Sequence, residues 1–192
     1  MPVPKTIDSA DIYAAAITLF CERGFGGTTT RQIADRAGIN EVTLFRRFGS
    51  KAALMEAAII DALANAPFGQ VPASDDVLAD LGNVVRAYLA TYREHGGLAL
   101  TLFSQLPHHP ELHGITPVLM ENLKAVGALL RTHQEAGRLR PGDPGRFALE
   151  LIAPLAMIGF MGEMRMGPGH AALDVDDYVR TYLAGHGAES SE

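Results

Sequence analysis

The chain has 192 residues, 47% of them apolar and 20% charged, with a formal net charge of −6, a single cysteine and no tryptophan. That apolar share can fill one core or two small ones. The lone Cys21 excludes an intramolecular disulfide framework and a multi-cysteine zinc site, and the opening MPVPKTIDSAD has no apolar stretch of the kind a secretory signal needs, so a reducing cytoplasm is the expected compartment.

Net acidity argues against nucleic acid until its distribution is considered. Residues 1–55 hold seven basic and five acidic side chains, and the remainder holds nine and seventeen. A mildly basic head on an acidic body suggests that the head faces a polyanion. The excess is small, so base contacts and a dimer, rather than bulk charge, would have to hold DNA.

In chain order, residues 1–7 read as a short Pro-rich disordered arm. A first helix is predicted from Ser9 to Arg23, with Ile12, Ala15, Ala16, Leu19 and Phe20 on its apolar stripe; Cys21 is expected to be a small buried side chain, and Gly24 ends the helix. Thr28 and Thr29 offer caps for a second helix from Thr30 to Ala37, which Gly38 terminates. Asn40 restarts the chain as an N-cap, with Glu41 in the first turn of a third helix. Leu44 and Phe48 are predicted to point inward. Glu41, Val42, Thr43, Phe45, Arg46 and Arg47 are left on the outer faces.

Two short helices across a tight turn have the form of a helix-turn-helix, whose second helix can enter a DNA major groove. Arg46 and Arg47 can grip phosphate or a guanine edge, Thr43 can bond phosphate or touch a thymine methyl, and Glu41 could accept from cytosine. An ordinary helical hairpin with a solvated basic face has the same pattern.

Residues 10–55 add something more specific. The words AAAITLFCERGFGGTTTRQIADRAGIN and TLFRRFGSKAAL resemble, in order and without gaps, the DNA-binding domain of the tetracycline-repressor-like (TetR) family of transcription regulators. The resemblance implies an all-α subunit of about nine helices. A three-helix head over residues 1–50 would bind DNA, and a body over residues 51–192 would bind ligand and dimerise. It further implies a homodimer through the last two helices, a palindromic operator and control by a small molecule. The DNA-contacting set it suggests is Thr29, Thr30, Arg31, Asn40, Glu41, Val42, Thr43, Phe45, Arg46, Arg47 and Lys51. Two positions depart from the family pattern. Phe45 stands where Tyr is frequent, and so lacks a hydroxyl for phosphate. Val42 stands where Gly, Pro or Ala is frequent.

Ser50 is the expected N-cap of a fourth helix running to about Ala66, rich in alanine and so expected to pack loosely against the body. Lys51 in its first turn matches a lysine that touches the DNA backbone in the family, and a helix N-terminus itself favours phosphate. APFGQVPAS, from Ala66 to Ser74, reads as a loop. Helix five follows from about Ser74 to Glu94, with Leu78, Leu81, Val85, Tyr88 and Tyr92 as its seam. A short helix from Leu98 to Leu106 is apolar nearly all round and is expected to be buried.

Pro107–Gly114 is turn-rich. His108, His109 and His113 with Glu111 are candidate metal ligands there, although two prolines disfavour a regular display and no bound metal is expected. Helix seven is predicted from Thr116 to Ala136, with His133 continuing its stripe. Asp143-Pro144 starts helix eight, which runs towards Arg165 and is almost uncharged. It contains Pro154 and is short for a membrane span, so no membrane association is expected. A last helix runs from about Asp174 to Gly185, and the tail HGAESSE is expected to fray.

The body has no phosphate-cradling glycine loop, nucleophile elbow or catalytic carboxylate pair, so no catalytic residue, enzyme activity or cofactor is expected. Its flexible apolar side chains taken singly read as core, but the resemblance implies an effector pocket, with Tyr88, Phe103, His109, Met120, His133, Met157, Met161 and Met164 as candidate lining. The alternative is a metal- or small-molecule-binding helical protein, or a small hydrolase, whose head is only structural.

Overall fold

A computed structural model describes residues 8–64, 67–95 and 97–187. The expected N-terminal arm and the tail beyond Gly187 lie outside the described residues. Among them the chain forms nine α-helices: α1 (Ser9–Gly27), α2 (Thr30–Ala37), α3 (Glu41–Phe48), α4 (Lys51–Ala64), α5 (Val77–His95), α6 (Leu98–Gln105), α7 (Thr116–Glu135), α8 (Pro144–Glu163) and α9 (Val175–His186). Short 3₁₀ turns lie at Pro67–Gly69, Leu106–His108, Pro110–Ile115 and Gly169–Ala172. The fold is all-α, with one isolated bridge between Leu139 and Gly187.

The helices form two compact units, and these do not follow a single cut in the chain. One comprises Met1–Asn65 with Gly96–Thr116; the other comprises Ala66–His95 with Pro117–Glu192. The first unit therefore includes α1 to α4 together with α6 and the turns after it.

In the first unit, α1 opens on an Asp8 cap and breaks at Gly24, where φ is 68°. Its stripe (Ile12, Ala15, Ala16, Leu19, Phe20) is buried with Ile33, Ala34 and Leu44 from α2 and α3. Phe48 is only half-buried, against Tyr13. Cys21 is half-buried as well. Within this unit α4 is closely packed: Leu54, Met55, Ala58 and Ile59 are fully enclosed, since alanine lets α1 approach closely. The expected burial of α6 holds for Leu98 and Leu102 but not for Phe103, which is 69% exposed. An eight-residue helix turns one face outward whatever its composition.

The second unit is built on Leu81, Val84, Val85 and Tyr88 of α5, Val126, Leu129 and Leu130 of α7, Phe147, Leu151 and Leu155 of α8, and Val179 and Tyr182 of α9. By length and composition α8 could cross a membrane, yet one of its faces is part of this core. Asp143 caps it through the Arg146 N–H at 2.7 Å, as the Asp-Pro pair predicts. Helix α5 starts later than expected, at Val77. Asp76 caps it through Ala79, and Ser74 instead turns back to bond Asp80.

That contact belongs to a buried polar network. Asp80 and His133 are 4% and 0% exposed. The Arg138 Nε–H donates to His133 Nδ1 at 2.9 Å, which places the ring proton on Nε2, facing the Asp80 carboxylate at 3.0 Å. The Ser74 N–H and hydroxyl donate to the same carboxylate at 2.6 and 2.7 Å. His133 is thus a fully bonded tie between α5 and α7, not the polar handle of a cavity. The C-terminal end of α9 is likewise held: His186 Nε2 lies 2.6 Å from Glu150 and Nδ1 lies 2.8 Å from the Tyr182 carbonyl.

Burial alone raises the Asp80 pKa, but the Ser74 bonds and the His133 ring outweigh it and hold the carboxyl below its ordinary value. A lowered folded-state pKa contributes stability that is present above the unfolded value, near 4, and is lost as pH falls through the folded value. Asp80→Asn is therefore expected to cost about 2 kcal/mol at neutral pH and to flatten the acid limb of the stability curve. Thermal melts of both proteins from neutral pH downwards check this.

Candidate nucleic-acid interface

The first unit orders α2 and α3 by local chemistry. Thr29 and Gln32 form a reciprocal capping box at the start of α2. Gly38 at φ 68° turns the chain, and Asn40 Oδ1 accepts the Val42 N–H at 2.8 Å to start α3. Across the turn the Thr30 hydroxyl donates to Glu41 at 2.6 Å, tying the two helix N-termini together. The Glu41 carboxylate is thus already engaged by α2.

Around α3, Leu44 is 0% exposed and anchors the helix. Val42, at 73%, and Phe45, at 46%, project outward with the exposed Arg46. Thr43 is half-buried. Arg31 and Thr29 are exposed on α2 and at its cap. Arg47 is exposed too, but its guanidinium bonds the Ser9 hydroxyl and lies over the Phe48 ring, 5.5 Å from the centroid. The expected contact residues therefore divide. Val42, Phe45, Arg46 and Arg31 present open side chains, whereas Thr30, Glu41 and Arg47 also hold the unit together.

Lys51 has an internal role that its motif does not reveal. Its ammonium donates to the carbonyls of Phe25 and Thr28 at 2.7 and 3.0 Å and lies 4.1 Å from the centroid of the Phe25 ring. A cation in the first turn of a helix opposes the helix dipole, and here these carbonyls compensate it. Thr28, expected as a cap for α2, is fully buried and turns back instead, its hydroxyl shared between the carbonyls of Leu19 and Gly24. The Gln105 side chain closes the same turn by accepting the Phe25 N–H at 3.0 Å. Residues 24–28 are thereby held from three sides, directly before α2.

The candidate pocket residues do not form one set. Phe103 and His109 belong to the first unit, and the others belong to the second. His109 packs on Phe25 with ring centroids 4.9 Å apart, and its Nδ1 is 3.3 Å from Glu111. His113 donates to the Leu106 carbonyl at 3.2 Å. Among the described residues no group of three or more His, Cys, Asp or Glu side chains is placed to hold a metal ion. Met157 and Met161 on the outer face of α8, and Met164 just past its end, are 55, 38 and 53% exposed, and Met120 is exposed on α7. Helical spacing put the methionines on a common face, but it could not tell an inner face from an outer one. Tyr88 alone fits a buried handle. It is 8% exposed, and its hydroxyl has no hydrogen-bond partner among the described residues. That orphaned hydroxyl could not be found from sequence, because nothing local distinguishes it from the satisfied Tyr178 and Tyr182.

Residues 12–58 match the family model for bacterial regulatory proteins of the tetR family. An uncharacterised HTH-type transcriptional regulator of Bacillus subtilis, YvkB, is 42% identical over 48 residues, 25% of either chain, so the likeness spans about a quarter of that relative's length. A solved structure from Mesorhizobium loti, described as a tetR-family transcriptional regulator, superposes with a TM-score of 0.74 at 19% identity, covering 97% of this chain and 100% of that one. The regulator FadR of Bacillus subtilis, solved in complex with stearoyl-CoA, gives 0.73 at 15% identity over 92% and 96% of the two chains. At these identities the structural likenesses establish the fold alone.

Lys51→Met is expected to lower the stability of the free protein by about 1–2 kcal/mol, the worth of its charge-assisted bonds. A lysine reserved for phosphate would leave the thermal midpoint unchanged, so a melt without DNA distinguishes the two roles.

Proposed function

Starting from a chain that belongs to the tetR family of bacterial regulatory proteins, we propose a cytoplasmic transcriptional repressor. It binds a palindromic operator as a homodimer and is released by a small apolar or amphipathic effector. The observation that carries the reading is the outward face of α3, where Val42, Phe45 and Arg46 project from a helix anchored by Leu44 and capped by Asn40. Arg31 and Arg46 supply backbone or guanine contacts, with Thr29, Thr30, Asn40, Thr43, Arg47 and Lys51 around them. Arg47 and Lys51 act largely by positioning.

The homodimer reading is supported by α8. Leu149, Met157 and Met161 recur at helical spacing on its outer face, and Met164 follows at its C-cap, at 38 to 55% exposure. A contiguous apolar stripe of this kind marks an association surface, and with α9 it provides the dimer contact. The two recognition helices must then sit about 34–36 Å apart to meet successive major grooves.

For the effector, Tyr88 provides the polar handle. Burial, with Tyr178 nearby, pushes its hydroxyl up to about 12, so it stays a neutral donor. Phe68 lies edge-on to it at 5.7 Å and His170 at 6.3 Å. The stearoyl-CoA held by the Bacillus FadR structure is consistent with long apolar effectors on this scaffold. Release follows if the effector prefers the arrangement in which the heads do not match the operator.

Fluorescence anisotropy with the promoter duplex beside its own gene tests the reading. Specific binding by the dimer is expected. Arg46→Ala should weaken it and, where the contact is to phosphate, reduce the salt slope by about 0.9. No specific binding at concentrations that give a stable dimer would refute it. Met157→Glu is expected to dissociate the dimer in sedimentation and to reduce operator affinity with it. Tyr88→Phe should leave operator affinity and folding intact while abolishing the effector response.

A further inference from the structure

Val42 is the most exposed large apolar side chain among the described residues, at 73%, and Phe45 follows one turn on at 46%. Neither serves the helix. A β-branched residue loses rotamer freedom there, and alanine or glutamate would favour an exposed helical position more. The Leu44 anchor buries the opposite face completely, so no core contact of α3 requires apolar groups on this side.

The position of Val42 is fixed more firmly than that of most surface residues. Its N–H is held by Asn40 at 2.8 Å, and a valine in a helix keeps essentially one χ1 rotamer. Its methyls therefore form a rigid apolar surface at the N-terminal end of α3, the end that meets base edges when such a helix enters the major groove. The neighbouring polar reader is diverted, since the Thr30 hydroxyl already bonds the Glu41 carboxylate. The exposed cations Arg46 and Arg31 flank this edge and match a polyanionic partner.

The one apolar group of substantial size that a base presents in the major groove is the C5-methyl of thymine. We infer that Val42 and Phe45 form an apolar reading edge for thymine methyl groups, so that each operator half-site carries an A·T pair opposite Val42. This inference rests on the DNA-binding reading above and specifies its sequence chemistry.

Duplexes selected from a randomised pool by the full-length chain provide the probe. Each thymine is then replaced in turn by deoxyuridine, which keeps the base pair and removes only the methyl. Affinity is expected to fall about fourfold at one position in a half-site, and about fifteenfold when both symmetric positions are replaced, the worth of one buried methyl each. In Val42→Ala that position should lose its thymine preference, while deoxyuridine elsewhere has the same effect as in the wild type and the melting temperature is retained. Equal affinity of the wild type for thymine and deoxyuridine duplexes at every position would overturn the inference and leave the regulator reading standing. A methyl effect that persists undiminished in both Val42→Ala and Phe45→Ala would overturn it too. Failure to select any duplex would instead remove the DNA-binding reading, and the inference with it.

Discussion

The arrangement of the first unit depends on how residues 24–28 leave α1. Gly24 breaks the helix with a left-handed backbone, exposing carbonyl oxygens that no helix satisfies. One local and one distant side chain supply the donors: the Thr28 hydroxyl takes the carbonyls of Leu19 and Gly24, and the Lys51 ammonium takes those of Phe25 and Thr28. Gln105 accepts the remaining N–H, that of Phe25. The turn fixes where α2 begins, and the Thr30–Glu41 bond carries that placement to α3. The orientation of the outward face of α3 is therefore a consequence of how a helix end is satisfied.

That arrangement also explains why a segment from the middle of the chain belongs to the first unit. Residues 97–116 bring Gln105 to the turn, His109 onto the Phe25 ring, and the Gly114 N–H to Glu56 on α4 at 2.9 Å. They are continuous at both ends with α5 and α7.

The second unit deals with polarity differently. Its buried charge is enclosed in a complete set of donors around Asp80, while the Tyr88 hydroxyl has no partner among the described residues. Full satisfaction ties α5 to α7, and the unmet donor is the group that would reward an occupant offering an acceptor. Exposed methionines are equally informative here, since flexible thioethers outside a core form an adaptable contact surface.

Much of this was legible in the sequence because it is governed by neighbours in the chain. Caps at Thr29, Asn40, Ser50 and Asp143, the left-handed exit at Gly38 and the inward Leu44 follow from local propensity and a 3.6-residue period, so the helices, their order and the head motif could be read directly. Where a residue finds its partner across the fold, local sequence carried no sign of that partner. Lys51 matches a phosphate-contacting position and also holds a turn. His133 was a candidate lining residue and proved to be a structural tie. Phe103 and the α8 methionines were placed inward and lie outside, because periodicity defines a face without saying what covers it. The sequence alone determined which helices form and in what order, because caps and periodicity are local. Only the tertiary structure decided which polar groups satisfy one another over 53 or 80 positions and which apolar faces are left open, since both depend on contacts that have no signature in local sequence.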